Sequence, residues 1–237
     1  MTRKAVTLAR PVARTVNWSA VGLSGALALA AVYVLTRSSC AVRANGEACL
    51  DLAARVQGVR LGGILLALGA ATLMDDPTDE AVASSATGLA AVRGLRVAVA
   101  LPILAAFWGG ALWLASRNPA HADVLPAGDL TLEVSALLMV ALAGGGAWVR
   151  RKGGRASLAA APTVLCAAVL AALMPEPARL IVEDPADPAW ATTHSTWVVV
   201  LILAVAAALW WSRDPGAPRL VQAWVRGRRG RERVASN

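Results

Sequence analysis

Asp75, Asp76, Asp79 and Glu80 place four carboxylates within six residues, and Arg93 and Arg96 follow them. Pro77 stops any helix arriving from the N-terminal side, because proline lacks the amide donor and disfavours helix at the residue before it. From Ala81 to Val92 apolar residues return at helical spacing, with Val82, Ala86, Leu89 and Val92 on one side. The pattern predicts a short, acid-headed helix lying at a membrane surface; a solvated turn is the plainer alternative.

Other reactive residues are few. Cys40 and Cys49 stand with eight residues between them around Asn45-Gly46, a turn pair, and are the candidate disulfide if that loop faces an oxidising compartment. Cys166 falls within an apolar segment and reads as a small packing residue. His121 and His194 are assigned to loops near Asp123 and Asp187. Zinc needs three or four ligands held together, and this spacing predicts no metal site and no haem ligation within a span. Gly22-Leu23-Ser24-Gly25 resembles the Gly-x-Ser-Gly of intramembrane rhomboid proteases, with His194 as the conceivable partner. Ser24 lies in the first span rather than late in the bundle, so helix packing by small residues explains it better. No catalytic residue is assigned. No Gly-x-x-x-x-Gly-Lys-Ser/Thr occurs, so the chain is not expected to cradle a nucleotide itself. Gly144-Gly145-Gly146 reads as a flexible helix end.

The elements that carry these residues are apolar. Hydrophobic residues make up 57% of the 237, mean hydropathy is +0.56, and the class expected is all-α and polytopic. Residues 1–17 set Val6, Ala9, Ala13 and Val16 opposite Arg3, Arg10 and Arg14, as an amphipathic helix in the interface does. Residues 18–213 carry six expected spans, at 18–36, 52–74, 97–115, 130–149, 156–174 and 196–211; residues 214–237 form a basic tail. The second span has only 14 uninterrupted apolar residues and must borrow from Leu52 onward, which brings in Arg55 and Arg60. These would reach outer headgroups or a partner helix. Arg60 and Glu133 are the only charges placed near a membrane core. The connection over 174–190 holds four prolines around Leu180-Ile181-Val182, the mark of a short helix folded back into the outer leaflet.

Charge orients the chain. With both termini cytoplasmic, 17 of the 23 basic residues fall inside, leaving net charges of +11 inside and −3 outside. The overall charge of +8 carries no aromatic-basic groove pattern, so lipid headgroups rather than nucleic acid are the expected counter-charge.

In layout the chain resembles the integral-membrane permease subunits of ABC exporters that handle drugs, lipids and polysaccharides, particularly small actinobacterial ones. The likeness rests on the amphipathic amino terminus before six spans, the loop running Asp75-Asp76-Pro77 through Glu80, Ala83-Ser84 and Arg93, and the apolar insertion before the last span. The family often has proline after the alanine-serine step, where this chain reads Ser85-Ala86-Thr87. The resemblance implies a plasma-membrane protein of actinobacterial origin, paired with itself or a similar permease subunit. It implies a separate ATP-binding subunit that holds ATP and magnesium, with no cofactor in this chain. Asp75, Asp76, Asp79 and Glu80 would flank a coupling helix, and Arg93 would anchor it to that ATPase. The alternative is a non-transporting six-span assembly or immunity factor; an intramembrane hydrolase is a third.

Overall fold

The computed structural model describes residues 12–38, 52–75, 89–117, 125–152, 157–174, 180–182 and 185–212. Six helices run through them: α1 (Trp18–Ser38), α2 (Leu52–Ala71), α3 (Leu89–Ser116), α4 (Ala127–Lys152), α5 (Ser157–Leu173) and α6 (Ala189–Ser212). Residues 12–15 add one helical turn before α1, and Thr72–Met74 extends α2 as a 3₁₀ turn. Cys40, Cys49, Asp76, Asp79, Glu80, His121, Asp123 and the tail from 213 onward lie outside the described residues.

Small residues set the order of the helices. Glycines at 58, 62 and 69 of α2 lie against Leu35, Ala28 and Ser24 of α1, so the two are antiparallel. Gly25 and Gly110 meet Phe107 and Leu29 across α1 and α3, which run parallel. A methyl group on Gly69 would collide with the Ser24 hydroxyl, which itself bonds Val21 O at 2.9 Å. Ser24 therefore serves a helix seam, as close approach of small residues in a membrane requires. Contacts of Asp129 with Trp190, Glu133 with His194 and Gly146 with Trp211 make α4 and α6 parallel, and Arg60 with Glu133 together with the clustering of Met74 with Leu142 makes α2 parallel to both. α5 starts just beyond α4, and residues 180–182 after it sit back at the level of Arg60, so α5 runs the opposite way. The helices thus alternate in direction.

Five of them are long and apolar enough to cross a membrane, within Trp18–Arg37, Leu52–Met74, Val92–Ser116, Ala127–Val149 and Ala189–Trp211. The chain is an all-helical protein of membrane-crossing character. α5 is shorter, with 17 residues giving about 26 Å. Large apolar side chains are turned outward all round, including Leu101, Ile202, Leu203 and Leu209, as lipid contact requires.

Several elements depart from the sequence expectations. α3 is continuous from Leu89, so Leu89 to Val92 run into a helix long and apolar enough to cross a membrane; residues 81–88 of the expected surface helix lie outside the described residues. α6 opens at Ala189 rather than 196, which takes His194 out of a loop and onto a buried helix face. The three glycines at 144–146 do not end α4. The helix continues to Lys152, with Gly144 admitting Thr163 and Gly146 admitting Trp211.

Candidate functional site

Polar chemistry gathers at both ends of the bundle. At the first, α2 stops where Pro77 predicts: Asp75 is extended at φ −67°, ψ 125°, and its amide bonds Thr72 O at 3.1 Å. The carbonyl of Asp75 accepts from Arg96 Nη1 at 3.1 Å. Arg96 Nε donates to Thr15 Oγ1 at 2.9 Å, and that hydroxyl donates to Val12 O at 2.8 Å. Arg96, 1% exposed, therefore ties together the end of α2, the start of α3 and the turn before α1. Arg93, one turn earlier on α3, is also buried, at 5% exposure. The structure thus brings Asp75 beside Arg96, the arginine that the sequence reading left without a role.

At the opposite end, Arg60 forms a fork with Glu133, Nε to Oε2 at 2.7 Å and Nη2 to Oε1 at 2.6 Å. Its remaining Nη1 donates to Val182 O at 2.7 Å. His194 Nε2 lies 3.0 Å from Glu133 Oε1, while Nδ1 lies 2.8 Å from Trp190 O. Trp190 stacks on His194 with centroids 4.4 Å apart, and its Nε1 donates to Asp129 Oδ2 at 2.7 Å. Glu133 is 3% exposed, and both partners are buried with it. A buried charge needs this degree of pairing, because taking an ion from water costs several kcal/mol that one contact does not return.

The same centre satisfies non-helical backbone. Residues 180–182 are irregular, so their carbonyls have no helical partner and are met by side chains of α2 and α6. Arg60 takes Val182 O, and Trp197 Nε1 takes Leu180 O at 2.8 Å. Of the segment expected to fold back as a short helix, the strap of residues 180–182 is described and is not helical; 175–179 and 183–184 lie outside the described residues. Of the two partners foreseen for Arg60, the helix is the one it finds.

His194 was the residue missed. Its signal lay in Asp187-Pro188: the Asp187 carboxylate accepts from Ala189 N at 2.8 Å, and its carbonyl accepts from Trp190 N at 2.9 Å. An aspartate followed by proline is a helix start, which puts Trp190 and His194 one turn apart on one face. His194 and Ser24 have separate partners, so no serine-histidine pair forms between them. Among the described residues no group of three or more histidines, cysteines or acids could hold a metal ion.

No family model matches the chain, and neither a curated protein nor a solved structure does.

Proposed function

We propose that the chain is the membrane half of an ATP-driven exporter, crossing the bilayer six times with both termini inside and working with a separate ATP-binding subunit. The observation that carries this reading is the Arg96 clamp. A segment that transmits force from a soluble partner has to be joined stiffly to its helices, and Arg96 fixes the stems of the acid-headed segment to each other and to Thr15. Partner closure would bias a two-state arrangement of the bundle through differential contacts at Asp75, Asp76, Asp79, Glu80 and Arg93. Alternating helix directions support an even number of crossings. Tilt or local thinning of the lipid accommodates the short α5. An amphiphilic or hydrophobic cargo and a second permease subunit, like or unlike, belong to the same reading.

The test is extraction of the full-length protein from its native membrane and identification of what copurifies. An ATP-binding subunit is expected with the wild type and is lost when Asp76 and Arg93 are both replaced by alanine. A partner retained by that double variant refutes the assigned contact, and absence of any ATPase from the wild-type preparation refutes the exporter reading. The second reading, a non-transporting assembly or immunity factor, draws on the Arg60 centre, whose bonds lock three helices and a strap together as a rigid scaffold. It predicts a copurifying membrane protein and no ATPase.

A further inference from the structure

Three arginines at one end of the bundle have no carboxylate partner among the described residues. Leu29 meets Gly110 and Leu35 meets Gly58, so the C-terminal ends of α1 and α3 and the start of α2 share one level. Arg37 stands at the end of α1, Arg117 just beyond α3, and Arg55 one turn into α2. Arg37 lies over Tyr33 at 4.7 Å, and Arg117 lies over Trp113 at 3.5 Å. All four of these side chains are exposed. Arg55 is 2% exposed; its Nε donates to Ala115 O at 2.9 Å, two residues before Arg117, and its buried Nη1 has no hydrogen-bond partner. No carboxylate among the described residues pairs with any of the three.

We propose that Arg37, Arg55 and Arg117 form one binding site for the phosphate of an anionic phospholipid headgroup. A buried guanidinium donor left unpaired costs stability. An anion removes that penalty. Phosphate suits the planar guanidinium fork. Tyr33 and Trp113, half-exposed at the same level, are the amphipathic rings that sit at headgroup depth, and stacking on them holds Arg37 and Arg117 where a headgroup lies. This site needs the membrane setting but not the exporter reading, and its test does not involve an ATPase.

Purified full-length protein in a neutral detergent is titrated with phosphatidylglycerol, phosphatidylcholine or inorganic phosphate. Thermal unfolding and the number of retained lipids by native mass spectrometry are the two readouts. Phosphatidylglycerol is expected to raise the wild-type melting temperature and to leave at least one tightly held lipid. Both effects are lost in R37A/R117A, whose changes are on the surface. Arg55→Met loses the same lipid while remaining folded in lipid-free detergent, and the triple variant loses no further one. An undiminished phosphatidylglycerol effect in R37A/R117A overturns the proposal, as does an equal effect of phosphatidylcholine. A shift with inorganic phosphate and none with lipid assigns the site to a dissolved anion and overturns the headgroup assignment.

Discussion

The two ends of this bundle solve the burial of arginine in different ways. Around Arg60 the guanidinium has a full carboxylate fork, a carbonyl and a neighbouring imidazole, all from side chains or backbone far apart in sequence. Arg96 instead donates to the Thr15 hydroxyl and to the Asp75 backbone carbonyl. The first arrangement fixes three helices and a strap through charge, and breaking it exposes a buried ion. The second holds the stems of a connecting segment by hydrogen bonds that a moving element could remake.

The largest expected effect lies at the charge-paired end. Glu133→Ala leaves Arg60 buried without its counter-ion and should cost about 3–5 kcal/mol. Thermal or denaturant unfolding in detergent reads it, and the double variant R60M/E133L should recover most of the loss. If Glu133→Ala alone changes stability by less than about 1 kcal/mol, the fork is not the anchor described and the contrast fails.

His194→Ala comes next. It removes one contact to Glu133 and one to Trp190 O but leaves the Arg60 fork, so a loss of about 1–3 kcal/mol is expected, smaller than that for Glu133. Equal losses would mean that the imidazole, not the fork, holds the centre together.

At the other end, Arg96→Ala removes the bonds to Thr15 Oγ1 and Asp75 O and should destabilise by about 1–2 kcal/mol. Under the exporter function proposed above, its sharper readout is loss of the ATP-binding subunit from the purified protein despite retained folding. Wild-type recovery of that subunit from Arg96→Ala membranes would show that the clamp transmits nothing.

The smallest effect is expected from Trp197→Phe, which keeps the ring in its packed site and deletes only the bond to Leu180 O. About 1 kcal/mol is anticipated. A cysteine placed at 181 should gain reactivity toward a membrane-impermeant reagent in this variant; unchanged reactivity would show that Arg60 alone holds the strap.

Much of this was visible in local pattern. Apolar runs of the right length located the helices, and Pro77 marked the stop at Asp75 because its effect acts on the residues beside it. The borrowed start of the second span at Leu52 and the small-residue reading of Ser24 also follow from neighbours in the chain. Arg60 and Glu133 stood out because charge in an apolar segment is rare. His194 escaped because the hydropathy pattern set the last helix at 196, while the Asp187-Pro188 start lay upstream.

What the chain determines alone is its class: a helix in lipid satisfies its own backbone, so composition and run length suffice to place one. Which charge meets which is a different matter. Arg60 and Glu133 are 73 residues apart, and Arg96 and Thr15 are 81 apart. Only the way the helices turn and stack brings those side chains within reach, and that packing is a property of the whole bundle.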